Sequence, residues 1–192
     1  LQGDTYNVGI GQGAILATPL QLAVMVAALA NDGIKVKPTL IVPENRNPNI
    51  MRGEYLNISK NYLQLMRDGM FEVVNNPKGT AKSAKVDVNG KLIAGKTGTT
   101  QVKRISMKER EQGLKRQEDL PWEDRNHALF VTFGPTDNPR YALAVVIEHG
   151  GGGSTNAAPI ARDIMRAALT LNPAGQSPAK PRKTIISSGG KQ

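Results

Sequence analysis

A chain of 192 residues with 39% hydrophobic side chains can bury the core of one domain, and with aromatics at 4% that core has to be built from Ala, Val, Ile, Leu and Met. Cysteine is absent and histidine is limited to His127 and His149, which argues against disulfides, thiolate metal sites and a histidine-rich metal centre, and no apolar run is long enough to span a membrane. Of the net charge of +9, four units sit in residues 173 to 192 (Lys180, Arg182, Lys183, Lys191) and the 101 to 125 stretch nearly cancels with seven basic and six acidic residues, so no basic face for nucleic acid is expected.

Leu1-Gln2-Gly3-Asp4 has neither the basic start nor the apolar stretch of a signal peptide, so the chain reads as cytosolic or as a segment of a longer exported protein. Thr18-Pro19 followed by LQLAVMVAALAND and Gly33 predicts a helix, with Thr18 as N-cap, Pro19 at the first helical position and Gly33 at the left-handed end. Positions 22 to 30 are apolar on every face, which predicts a helix buried all round. Residues 34 to 42 read as extended. A second helix is expected from near Ser59, with Tyr62, Leu63, Met66, Met70, Phe71, Val73 and Val74 on its apolar side, and 75 to 79 (NNPKG) stops it.

Strands are expected at 92 to 99, 128 to 134 and 141 to 148, the last two forming a hairpin across the short, turn-rich PTDNPR. Between the first two, the charged 101 to 125 stretch reads as a solvated loop with room for one short helix. A last helix is expected from Asn156 to Leu171 with Ile160, Ile164, Ala168 and Leu171 on its buried stripe. Beyond Asn172 the chain is rich in Pro, Gly, Ser and Lys and lacks periodicity, which predicts a disordered basic tail over 173 to 192. The folded part, 1 to 172, is expected to be of the α+β class, with an antiparallel sheet flanked by helices.

One stretch carries two incompatible motifs. NGKLIAGKTGTTQ (89 to 101) satisfies the phosphate-binding pattern G-x-x-x-x-G-K-[ST] from Gly90 to Thr97, and it also contains Lys96-Thr97-Gly98, a signature of serine acyl-transfer enzymes. A phosphate loop needs a strand before its first glycine and a helix starting at the lysine. Here Asn89-Gly90 reads as a hairpin turn, Leu92 and Ile93 extend a strand, and Thr97-Gly98-Thr99-Thr100 is a poor helix start. The NTPase reading is therefore set aside. A lysine on a strand at a cleft edge can hold a substrate carboxylate, hydroxyls of Thr97 and Thr99 can donate to it, and Gly98 leaves room for a close backbone approach. Alone, the three-residue signal favours a solvated lysine in a β-turn.

The blocks GIGQGAILATPLQLAVMVAALANDG (9 to 33), GTAKSA (79 to 84), AGKTGTTQV (94 to 102), HALFVTFGPTDNPRYALAVVIEHGG (127 to 151) and AAPIARDIM (157 to 165), in this order, resemble the C-terminal half of the transpeptidase domain of class B penicillin-binding proteins. Gly11-Gln12-Gly13 is similar to the elongation-type branch, penicillin-binding protein 2. The resemblance implies a penicillin-binding/β-lactamase-like fold and a serine D,D-transpeptidase that joins peptidoglycan stem peptides ending in D-Ala-D-Ala and is acylated by β-lactams. It implies no cofactor and no metal, a parent on the periplasmic face of the inner membrane with its anchor outside this chain, and glycosyltransferase and elongation-complex partners.

Residue by residue, the resemblance makes Lys96 and Thr99 catalytic and Lys96, Thr97, Gly98 and Thr99 substrate-binding. Lys96 would shape the positive potential, Thr97 and Thr99 would hold the terminal carboxylate, and the Thr99 amide would supply one oxyanion donor. The family's Ser-x-x-Lys and Ser-x-Asn motifs are expected upstream, so this chain reads as one wall of the site without its nucleophile. An inert binding or interaction fragment is the alternative, with self-association covering the apolar 18 to 32 helix. Ser177-Pro178-Ala179-Lys180 and Ser188-Gly189-Gly190-Lys191 fit the first motif but lie in the tail, and Ser154-Thr155-Asn156 fits the second but follows Lys-Thr-Gly and reads as helix-capping residues.

Overall fold

The computed structural model describes residues 2–9, 11–13, 15–40, 51–103, 105–113, 115–172 and 185–186. In chain order the main elements are α1 (Gln2–Gly9), α2 (Pro19–Ala30), β1 (Ile34–Val36), β2 (Met51–Tyr55), α3 (Lys60–Asn75), β3 (Asp87–Val88), β4 (Lys91–Leu92), β5 (Ala94–Thr100), α4 (Met107–Glu111), β6 (His127–Gly134), β7 (Tyr141–Ile147), α5 (Ala158–Leu171) and β8 (Ile185–Ile186). The centre is an antiparallel sheet in the order β5-β6-β7, with Lys96 opposite Val131 and Phe130 opposite Val145. One face packs on α2 and α3 through Val26, Leu29, Leu63, Met70, Ala94 and Phe133. The other packs on α5 through Phe130, Ala128, Ala158, Ala161, Met165 and Leu169. This is the expected α+β layering of helices on an antiparallel sheet.

Local chemistry sets the helix ends. Thr18 caps α2 by accepting the Gln21 N–H at 3.2 Å, while the Gln21 side chain accepts the Thr18 N–H at 2.8 Å, a reciprocal capping box. At the far end Asp32 (φ 65) and Gly33 (φ 85) both turn left-handed, and the Gly33 N–H reaches back to the Ala28 carbonyl at 2.8 Å. The Arg67 guanidinium of α3 donates to the Leu29 carbonyl at 3.0 Å and to Asp32 at 2.9 Å, so it satisfies an orphan group of α2 and ties the two helices together.

Three expectations need correction. Helix α2 is buried on one side only: Val26, Ala28 and Leu29 are covered, whereas Leu20 and Met25 face outward beside an apolar groove of about 1090 Å³ lined also by Val24, Val36 and Leu56. The sheet meets a single face of the helix, and an all-round apolar sequence cannot say which. In α5 the buried stripe is Ala158, Ala161, Met165 and Leu169, with Ile160, Ile164 and Leu171 exposed. The helix carries two apolar stripes, and the alanine-bearing one lets its backbone come closer to the sheet. Ser154-Thr155-Asn156 does not cap α5; it lies in a π-helical turn, Gly153–Ala157, where the Asn156 side chain donates to the Gly150 carbonyl. Of the 173 to 192 stretch only Ile185–Ile186 is described, and it pairs in parallel with Met51–Arg52; the remaining tail lies outside the described residues, as do positions 41 to 50 of the extended 34 to 42 reading and beyond.

Candidate active site

The motif stretch resolves into hairpin and strand. Asn89 (φ 54) and Gly90 (φ 80) form the tight turn that an Asn-Gly pair favours between β3 and β4, and β5 follows at once. Lys96 therefore sits in mid-strand, and no helix starts there to receive a phosphate. The phosphate-loop match is a coincidence of spacing.

Strand β5 pairs on one edge with β6 and, among the described residues, has no strand on the other. Its open edge is read from the side-chain donors that reach it. The Thr97 carbonyl accepts the Lys96 ammonium at 2.9 Å and the Thr99 carbonyl accepts the Gln12 carboxamide at 3.0 Å. Upstream, the Ile93 carbonyl accepts Asn75 at 2.9 Å. In an antiparallel strand the N–H and C=O of one residue point to the same edge, so the Thr97 and Thr99 amides also face outward, while Gly98 faces β6 opposite Leu129. Side chains alternate: Lys96 and Gly98 lie on the α2 face with Val131 and Leu129, and Thr97 and Thr99 lie on the α5 face with Phe130 and Ala128. Lys96 and Thr99 are exposed, Thr97 and Gly98 half-buried. The four candidate residues thus form one ridge, with the lysine and the threonine hydroxyls on opposite flanks and the amides on the crest.

The ridge is held from behind. The Thr132 hydroxyl, fully buried, donates to the Ala94 carbonyl at 2.7 Å. A Cβ built on Gly153 would lie 2.5 Å from the Leu129 carbonyl oxygen and closer still to that of Gly98, so the π-turn rests its bare Cα directly on the Gly98–Leu129 pair. The glycine run before it is tethered by the Gly151 N–H to the Asn126 carbonyl at 2.8 Å, and the turn itself by the Ser83 hydroxyl to the Ser154 carbonyl at 2.7 Å. Gly98 has a second reason to be glycine besides an open approach, since a Cβ there would meet the Leu129 side chain at 3.2 Å. Gln12, Asn75, Thr132 and Gly153 all escaped the sequence reading as site-supporting residues; each acts across a long separation in the chain.

The 101 to 125 segment is less of a bare loop than its charge suggests. It contains α4 and two short 3-10 turns, and the Trp122 ring packs tilted against that of His149, with centroids 4.2 Å apart. Lys103 donates to Asp124 at 3.2 Å, and that bond is the main reason its ammonium is held above the usual lysine range. Ser106 and Glu109 form a capping box: the Glu109 carboxylate accepts the Ser106 N–H at 2.8 Å and the Ser106 hydroxyl accepts the Glu109 N–H at 3.2 Å. The Ser106 backbone N–H, then its hydroxyl, hold the Glu109 carboxyl below the ordinary glutamate value. A depressed carboxyl contributes stability above its unfolded pKa, and the contribution is lost as pH falls through the folded value. An NMR titration of the Glu109 side chain is expected to give a midpoint below that of an unperturbed glutamate, returning upward in Ser106→Ala; an ordinary midpoint in the unmodified protein would remove the capping box.

Among the described residues no cluster of His, Asp or Glu could hold a metal ion, and no helix is long and apolar enough to cross a membrane. The Ser-x-x-Lys matches at 177 and 188 lie outside the described residues.

Comparison with known proteins gives the family of the chain. Residues 1–166 match the family described as the penicillin binding protein transpeptidase domain. The peptidoglycan D,D-transpeptidase MrdA of Haemophilus influenzae is 39% identical over 185 residues, covering 86% of this chain and 26% of that protein. The MrdA of Escherichia coli K12 is 38% identical over 158 residues, covering 79% of this chain and 24% of its own. The chain thus spans about a quarter of the length of the curated relatives it matches. In a Helicobacter pylori complex of PBP2 with MreC, the PBP2 superposes with a TM-score of 0.70 at 31% identity, over 88% of this chain and 28% of that one. Pseudomonas aeruginosa PBP2 in complex with WCK 5153 gives 0.63 at 34% identity, over 96% and 36%. With sequence, fold and an exposed Lys-Thr-Gly strand in agreement, the chain belongs to the penicillin-binding protein transpeptidase family, on the branch that holds PBP2 and MrdA.

Proposed function

We propose that this chain forms the Lys-Thr-Gly wall of a peptidoglycan D,D-transpeptidase active site. In that reaction a serine Oγ attacks the carbonyl of the penultimate D-Ala of a stem peptide. The terminal D-Ala leaves with the serine proton on its amine, and the amine of a second stem then displaces the serine to close the cross-link. Penicillins acylate the same serine in place of the D-Ala-D-Ala terminus. Lys96 sets the positive potential for the anionic end of either ligand, the Thr97 and Thr99 hydroxyls hold the terminal carboxylate, and Gly98 admits its backbone. The Thr99 N–H and the serine's own N–H form the oxyanion hole. The observation that carries this reading is the open edge of β5, which points the Thr99 N–H outward beside Lys96.

The nucleophile, on this reading, belongs to another part of the same protein. Of the described serines, Ser83 and Ser106 commit their hydroxyls to the Ser154 carbonyl and the Glu109 carboxylate, with no lysine beside them in those bonds. The parent would work on the periplasmic face of the inner membrane, with a glycosyltransferase and elongation-complex proteins as partners, in the way the Helicobacter pylori relative occurs with MreC. Intact-mass measurement after incubation with a labelled penicillin tests the reading. The protein from its complete coding sequence is expected to gain one penicilloyl group and the isolated 192-residue chain none. No adduct on the complete protein would overturn the proposal, and a stoichiometric adduct on the isolated chain would reveal a nucleophile within it.

A further inference from the structure

We propose that Gln12 is a positioning residue of this site: its carboxamide fixes the Thr99 carbonyl, and with it the residue whose N–H points outward from the open edge of β5. The inference rests on the transpeptidase reading of β5. It begins in the backbone that presents Gln12. After α1 the Gly11 N–H donates to the Val8 carbonyl at 2.9 Å and the Gln12 N–H to the Asn7 carbonyl at 2.8 Å, the two bonds of a Schellman helix end. Gly11 takes the left-handed conformation this requires (φ 76), and Gly13 is also at positive φ (106). A residue held between two such glycines, with its own N–H used to close the helix, has a fixed outlet for its side chain. That outlet delivers Nε2 to the Thr99 carbonyl at 3.0 Å, across 87 positions of sequence.

The need for such a tether follows from the ladder. Thr99 and its partner Ala128 occupy a position of the β5–β6 ladder where the two residues exchange no N–H···O bond, so β6 does not hold the polar groups of Thr99. Its neighbour Gly98 has no side chain to restrict rotation, and Thr99 itself is exposed at the strand's end. Gln12 supplies the missing restraint on the carbonyl side and leaves the N–H of the same residue free to act as a donor. An oxyanion donor contributes through preorganisation, and a displacement of about 1 Å can cost a hundredfold in rate. Loosening the donor rather than removing it is expected to cost about tenfold, below the hundredfold or more of a deleted donor.

The test uses the protein from its complete coding sequence and a fluorescent penicillin in stopped flow, separating the saturating acylation rate from the half-saturating concentration. Gln12→Ala and Gln12→Glu both remove the donor, the second with the shape retained, since a carboxylate cannot donate to a carbonyl. In both, the saturating rate is expected to fall about tenfold, with half-saturation within about twofold for Gln12→Ala and an unchanged melting temperature. Wild-type acylation rates in both variants would overturn the proposal. So would a loss that tracks a lowered melting temperature in both, which would mark Gln12 as merely structural. If the unmodified protein is itself not acylated, the transpeptidase reading fails first and this inference falls with it.

Discussion

Gly153→Ala is expected to lower the melting temperature of the chain by about 5 to 10 °C. The added Cβ would sit 2.5 Å from the Leu129 carbonyl oxygen and closer to that of Gly98, whereas real Cβ atoms keep at least 3.0 Å from such neighbours. Both obstacles are backbone, so no side chain can swing aside. Relief requires the π-turn to lift or β5 and β6 to part at the Gly98–Leu129 pair. Overpacking of this kind costs about 1 to 3 kcal/mol, occasionally more, and each kcal/mol shifts a domain of this size by roughly 2 to 4 °C. Gly152→Ala is the matched control, because its Cβ would meet the Thr155 side chain alone, no closer than 3.4 Å, which is ordinary contact. Equal melting temperatures for the two variants would mean that Gly153 does not rest on the strand pair. Because the Gly98 carbonyl shares a peptide unit with the Thr99 N–H, the same substitution in the complete protein is expected to slow acylation as well.

What could be read from the residues depends on how far the deciding interaction reaches. Thr18, Pro19 and Gln21 act within one turn, and Asn89-Gly90 within one hairpin, so α2's start and the β3-β4 turn were legible. Strands β5, β6 and β7 were legible because β-branched residues and the short PTDNPR connection leave little else for them to do. Burial was less so. Two apolar stripes compete on α5, and only the sheet's position selects Ala158, Ala161, Met165 and Leu169 over Ile160, Ile164 and Leu171. The Ser106-x-x-Glu109 capping box is local too, but the run of charges around it hides the pattern. The Lys-Thr-Gly ridge could be placed on a strand from its sequence, but not the partition of Lys96 from Thr97 and Thr99 onto opposite faces relative to α2 and α5. Its supports, Gln12, Asn75, Thr132 and Gly153, reach it through hydrogen bonds or contacts that no local pattern encodes.

Lys96→Ala in the complete protein is expected to slow acylation by penicillin about ten- to a hundredfold while leaving the fold intact. Its ammonium is exposed on β5 and, among the described residues, bonds only to the Thr97 carbonyl of its own strand, so its removal opens no cavity and leaves no buried partner unpaired there. The melting temperature is therefore expected to move little, as for surface substitutions generally. The cost falls on the ligand. An anionic carboxylate bound against the open edge of β5 beside Lys96 would make charge-assisted hydrogen bonds worth roughly 1.5 to 3 kcal/mol, and 1.36 kcal/mol is a decade of rate. The alternation of β5 adds a distinction between neighbours: Thr97→Val keeps the shape and the cation but removes one hydroxyl on the other flank, so it is expected to lose less than Lys96→Ala. Lys91→Ala, in β4 of the preceding hairpin, removes an exposed lysine of the same charge and is expected to be nearly silent. Second-order acylation rates and melting temperatures for the three variants decide the matter. Wild-type acylation in Lys96→Ala, or a loss explained by unfolding, would mean that the lysine is a solvated side chain on an edge strand, the bland reading that Lys-Thr-Gly alone would have supported.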